Sequence, residues 1–205
     1  MSREVHAGFC ERREVRLLPA THLVVLCRSE REAKAALDAA GEILADLGLG
    51  LHPDKTKVVD LREGREGFDF LGCHFRARLS GRLLERGIRR YYLHRWPAKR
   101  AMKRIRAKVK ALTDRRRRGG MTDVRDVIAD LNPILRGWGN YFRTGNAAEK
   151  FQQIDRHVVW RLKRLLIKRK GRNLRAGEAA AWTPDWFWGL GLYRLMGTIR
   201  YPGAA

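Results

Sequence analysis

The chain has 205 residues, 44% of them hydrophobic, enough to bury a core in one large domain or two small ones. A formal charge of +22 and a pI near 11.1 select a polyanion as the partner class, with nucleic acid first. Three cysteines without a CxxC pair (Cys10, Cys27 and Cys73) argue against a disulfide framework or zinc ribbon. Neither a secretory leader nor a membrane-spanning apolar run is visible, so a cytoplasmic, non-membrane protein is expected.

Charge divides the chain unevenly. Residues 1–76 carry 12 basic and 13 acidic side chains, net −1, whereas residues 77–205 carry 32 basic against 9 acidic, net +23. A boundary between two differently employed parts is expected where that balance changes.

Residues 1–19 show no period and are left unassigned. Leu23 to Cys27 form an apolar run that reads as a buried strand. Ser29 and Glu32 have capping-box spacing, and Ala33, Ala36, Leu37, Ala40, Ile43, Leu44 and Leu47 continue at helical spacing to a stop at Gly48. Pro53 then turns the chain into a short β-prone run, Thr56 to Leu61. Gly64 and Gly67 precede a second, Phe68 to Phe75, so residues 20–76 read as β-α-β-β.

Residues 77–97 look like a hairpin turning at Ser80-Gly81, with Pro97 placed to open a helix. In the next helix Met102, Ile105, Val109 and Leu112 make an apolar stripe among Lys99, Arg100, Lys103, Arg104, Arg106, Lys108 and Lys110. Arg115 to Arg118 with Gly119-Gly120 form a turn. A further stripe runs from Val124 to Phe142. Pro133 should divide it into two short helices, with Asn132 capping the second. Asn146 and Glu149 suggest another capping box before the stripe Phe151, Ile154, Val158, Leu162 and Leu165. Three stripes predict a small bundle, closed by an aromatic segment over residues 176–205.

Several of these stretches resemble one family in order. Leu23 to Ser29, His52-Pro53-Asp54-Lys55-Thr56-Lys57 and Phe68-Asp69-Phe70-Leu71-Gly72 resemble the end of the palm of group II intron reverse transcriptases. Arg90 to Leu93, Trp96 to Ala101, Leu131 to Trp138 and Asn140 to Phe142 resemble the maturase-specific, or thumb, domain of those proteins. Gly191 to Leu195 and Arg200 to Pro202 resemble their C-terminal ending. The resemblance implies an α+β fold: a truncated palm remnant over 20–76, a connector over 77–97, and an α-helical maturase domain over 98–175.

It also implies where a polymerase centre would be. The family carries a Tyr-Ala-Asp-Asp turn immediately before the strand that begins near Val24, and its paired carboxylates hold magnesium. Here the sequence is Pro19-Ala20-Thr21-His22. A threonine and a histidine do not replace two anionic oxygen ligands for a hard cation, and the third family carboxylate would precede this chain. No catalytic residue, metal or cofactor is therefore assigned. Thr21 and His22 read as a strand entry, and Lys55 and Lys57 as solvated turn residues.

For the helical part the resemblance implies group II intron RNA, or another structured RNA, as partner. Lys99, Arg100, Lys103, Arg104, Lys108, Arg136, Arg161, Lys163, Arg164, Lys168 and Arg169 are the candidate phosphate contacts, arginine forks suiting phosphate especially well. Arg115, Arg116, Arg117 and Arg118 join them, with a solvated turn as the alternative. Tyr92 is the candidate for stacking on a base, since Tyr91 and Tyr92 must face opposite sides of a strand. Trp138 lies on an apolar stripe and is expected to pack. Trp182, Trp186, Phe187 and Trp188 are expected to cap the bundle, with RNA contact as the alternative.

The expected function is maturase-like recognition of intron RNA that assists folding and splicing, without reverse transcription. Rival readings are a non-functional remnant of a decayed reading frame, one part of a split polymerase that docks on a separately encoded fragment, and a general nucleic-acid chaperone.

Overall fold

A computed structural model of the protein describes residues 3–8, 22–114 and 123–200. The chain divides into two compact units, with the division between His94 and Arg95. It is mixed in class, antiparallel strands coming first and helices after them.

In the first unit, strand β1 (Arg3–Gly8) lies between β2 (His22–Cys27) and β3 (Lys57–Val59), antiparallel to both. The segment left unassigned from sequence thus supplies the central strand of this sheet. Pairing with distant partners makes it a strand, and local periodicity carries no trace of that. Helix α1 (Glu30–Asp46) follows β2, as its capping box requires: Ser29 Oγ accepts from the Glu32 N–H at 3.2 Å, and the Glu32 carboxylate accepts from the Arg28 N–H at 2.7 Å. Gly48, at φ +69°, ends it as expected. Val25, with Ala36 and Leu37, packs on buried Cys27 and Ala33; Val24 packs instead on Val59, Leu61 and Phe68. Adjacent residues of β2 thus serve two small cores on its opposite faces. The far end of the α1 stripe departs from expectation, with Ile43 and Leu47 exposed.

The run from Phe68 to Phe75 is two strands, β4 (Gly67–Phe70) and β5 (Cys73–Leu79), where sequence reading gave one. Leu71 and Gly72 turn the chain with φ of +46° and +78°, the positive pair a two-residue hairpin needs for its twist to match the strands. Phe68 sits opposite Phe75 in register, and their rings stack at 5.1 Å. A short helix, α2 (Gly81–Leu84), connects β5 to β6 (Tyr91–Pro97), completing a sheet of order β4-β5-β6. Pro97 ends this strand and does not open a helix.

The second unit is helical. Helix α3 (Lys99–Leu112) buries Met102, Ile105 and Val109. Helix α4 (Val124–Phe142) runs through Pro133 without dividing, so the expected break is absent. Asn132 is not a cap. Its Nδ2 donates to the Gly191 carbonyl and its Oδ1 accepts from the Tyr193 N–H, both at 2.8 Å, which clamps the C-terminal segment to α4. Gly139 permits the same approach, because a Cβ there would meet Leu195 Cδ2 at 2.7 Å.

Helix α5 (Ala148–Lys170) buries Phe151, Ile154, Val158, Leu162 and Leu165 as its stripe predicts. The Asn146–Glu149 box does not form. Asn146 Oδ1 lies 3.4 Å from the Arg95 N–H it accepts from, and Glu149 accepts from Gln153 Nε2 at 2.9 Å. Two short helices, α6 (Glu178–Ala181) and α7 (Pro184–Gly189), precede the final turn. Asp155 secures that turn: Oδ1 accepts from the Leu195 N–H at 3.0 Å and Oδ2 from the Met196 N–H at 3.1 Å. Burial raises the Asp155 pKa, opposed by these two N–H donors and by the Arg194 charge. Among the described residues no helix is long and apolar enough to cross a membrane.

Candidate nucleic-acid interface

The second unit holds 27 of the basic residues against 8 acidic ones over residues 95–205. Helix α3 concentrates them. Its buried stripe leaves the cationic positions facing outward, so Lys99, Arg100, Lys103, Arg104, Arg106, Lys108 and Lys110 are all exposed, with no acidic residue in the helix. Lys99–Lys103, Arg100–Arg104, Arg104–Lys108 and Arg106–Lys110 are like-charge i,i+4 pairs, each costing about 0.2–0.5 kcal/mol. Cations in the first turn also oppose the helix dipole. Nothing within α3 compensates this repulsion; a polyanion laid along it would.

Helix α5 is similar beyond Asp155. Arg156, Arg161, Lys163, Arg164, Lys168, Arg169 and Lys170 follow, again with no acidic residue in that part of the helix. Arg164 and Lys168 are exposed, whereas Arg161, Lys163 and Arg169 are half-buried. Arg161 has an internal partner set that the sequence does not reveal. Its Nε donates to Thr113 Oγ1 at 2.8 Å, and Nη2 to the Lys110 and Thr113 carbonyls at 3.2 and 3.4 Å. It therefore caps the C-terminal carbonyls of α3, where a positive charge is favoured. Arg106 Nη2 donates to Gln153 Oε1 at 3.3 Å. Helices α3 and α5 pack together through these bonds and their apolar stripes, bringing the nominated cations of both helices into one two-helix layer.

Other nominated residues lie apart. Arg136 is exposed on α4 with its guanidinium 5.4 Å from the centre of the Tyr193 ring. Tyr92 belongs to the first unit, where it is exposed, with Arg90 5.5 Å from its ring centre; its neighbour Tyr91 is half-buried. Arg115 to Arg118 fall outside the described residues. Trp138 packs on Phe142 and Phe151 at 4.9 and 5.4 Å. Trp182 and Phe187 are buried, Trp188 carries Arg194 4.3 Å from its ring centre, and Trp186 is exposed.

The aromatic residue that sequence reading missed is Trp160. It falls off the apolar stripe of α5 and is 50% exposed, with Arg164 at 5.2 Å and Arg161 at 5.9 Å from its ring centre. The His157 ring stacks on it at 6.0 Å. Burial lowers the His157 pKa, and the Arg106 and Arg161 charges lower it further. A tryptophan out of register with the stripe and followed by arginines was the available signal.

Thr21 lies outside the described residues, and His22 begins β2. Among the described residues no cluster of three or more His, Cys, Asp or Glu side chains could hold a metal ion.

No curated protein matches the chain. The family model described as group II intron, maturase-specific domain matches residues 102–181, from the first buried residue of α3 to the end of α6. Residues 102–181, which include most of the cationic layer, are thus similar to the group II intron maturase-specific domain, and this match supports reading that part of the chain as the C-terminal part of a group II intron maturase.

Proposed function

We propose that the protein binds group II intron RNA through the cationic layer of α3 and α5 and assists the folding and splicing of that RNA, without copying it. The observation that carries this reading is the coincidence of two independent features. The maturase-specific match spans nearly all of α3 and the whole of α5, whose outer faces bear many cations and, beyond Asp155 in α5, no acid. Phosphate contacts supply affinity and orientation, while discrimination comes from RNA shape, because A-form helices hide their base edges from side chains. Arg115 to Arg118 extend the cationic sequence between α3 and α4. The absence of polymerase activity rests on Thr21 and His22 at the place of the family's paired carboxylates. On this reading the chain itself holds no magnesium, the family's carboxylate pair being replaced, and a cytoplasmic location fits the RNA partner.

The deciding experiment titrates the purified protein against a group II intron RNA and an unrelated structured RNA at several salt concentrations. Tighter binding to the intron RNA is expected throughout. Equal affinities would reduce the protein to a charge-driven binder. Primer extension with magnesium should give no product, and extension by the isolated chain would overturn the assignment at Thr21 and His22.

A second reading, docking on a separately encoded polymerase fragment, draws on exposed Leu26, Ile43 and Leu47 in the first unit. Sedimentation of the chain mixed with a fingers-and-palm fragment tests it, a single faster species being the expected outcome.

A further inference from the structure

Trp160 has no place in the core of its unit. The buried face of α5 runs through Phe151, Ile154, Val158, Leu162 and Leu165, and Trp160 lies outside that series with half its surface open. A tryptophan side chain is a large apolar surface, and leaving it in water forgoes the burial that favours tryptophan inside proteins. Its neighbours are cationic: Arg156 and Arg164 stand one turn before and after it, and Arg161 and Arg164 place guanidinium groups by the ring. His157 supports it, its ring inclined 30° to the indole. Burial favours the neutral form of this imidazole, whose ring supplies a stacking plane.

An exposed aromatic plane ringed by arginines repels a cationic protein surface and offers little to a hydrocarbon chain. It suits a flat, polarisable group that hangs from a phosphate chain. We propose that Trp160 is a stacking platform for an unpaired base of the bound RNA, with Arg156 and Arg164 engaging the phosphates that flank that base. This rests on the RNA-binding reading above and adds to it a preference for RNA with an extruded or single-stranded nucleotide, which a cationic helix pair by itself would not have.

The test uses the full chain and two RNA probes, a blunt duplex and the same duplex carrying one unpaired 2-aminopurine. The wild-type protein should prefer the bulged probe and change its fluorescence on binding. W160A should lose roughly 5- to 150-fold on the bulged probe, the range a stacked base contributes, while binding the blunt duplex as before. W160F should retain most of the preference, and circular dichroism should be unchanged in both, since the side chain is half exposed. Equal loss on both probes, or no loss on either while the wild type binds both, overturns the platform and leaves RNA binding standing. Failure of the wild type to bind either probe removes the platform, and the intron-RNA titration then decides the RNA-binding reading by itself.

Discussion

At the level of single residues, Asp155 ties the final turn to α5, and Asp155 and His157 each give the stability of the second unit a measurable signature. Asp155 accepts the Leu195 and Met196 N–H groups in a buried setting. Asp155→Ala orphans both donors, at about 1–3 kcal/mol each, so urea denaturation should show a loss of about 2–4 kcal/mol after partial access of water. His157 makes stability depend on pH in the same direction as a carboxylate held below its ordinary value, and opposite to Asp155 with its raised pKa. The folded pKa of His157 is depressed, so the folded state takes up this proton less readily than the unfolded chain. Stability is complete above the ordinary imidazole value and is lost as pH falls through that value toward the lower folded one. Thermal unfolding between about pH 7.5 and about pH 5 should show this fall, and His157→Gln, which does not titrate, should lessen it, the similarly depressed His94 supplying a further part.

At the level of elements, α3 is held by its neighbours and opposed by its own surface. Burial of Met102, Ile105 and Val109, with Arg161 on its last carbonyls, outweighs four like-charge pairs that together cost about 1–2 kcal/mol. Added salt should therefore raise the unfolding temperature of the protein by a few degrees, as screening removes the repulsion. Lys103→Glu separates the two demands on the helix. It should stabilise the fold by roughly 0.5–1 kcal/mol, placing an anion between Lys99 and Arg106 near the helix N-terminus, yet weaken RNA binding several-fold. A variant that gained stability and kept its RNA affinity would remove α3 from the interface. Helix α4 shows the complementary case. An interior proline that should divide it is tolerated because α4 is anchored from outside, by Asn132 on the C-terminal segment and by Gly139 beneath Leu195.

For the molecule as a whole, the excess of cations governs how RNA binding responds to salt. Each phosphate contact contributes about 0.7–0.9 to the slope of log affinity against log salt. Replacing the exposed Lys103 and Lys108 together by Gln should lower that slope by roughly 1.4–1.8 if both touch phosphate. Arg161→Gln should behave differently, losing fold stability more than slope, since its guanidinium is engaged by Thr113 and Lys110. Salt-dependent binding together with urea denaturation distinguishes the two classes of cation.

Much of this protein could be read before any coordinates. Helix α1 and its stop at Gly48 and the buried stripes of α3, α4 and α5 are written in local spacing, which a helix keeps within a few residues, while the segment from Leu131 to Trp138 was legible by its resemblance to the maturase family. The concentration of positive charge in the second part is composition alone. Tertiary structure decided what depends on residues far apart in the chain. Strand β1 exists through pairing with β2 and β3, and Asn132 serves residues about sixty positions later instead of capping a helix. Arg161, indistinguishable in sequence from Arg164, is turned inward by the carbonyl end of α3. Trp160 becomes a candidate base platform only once the packed face of α5 is known and the tryptophan is found outside it. The physical reason is the same in each case: helix periodicity is a short-range property, whereas the partner of a polar or aromatic side chain is set by which segments the folded chain brings beside it.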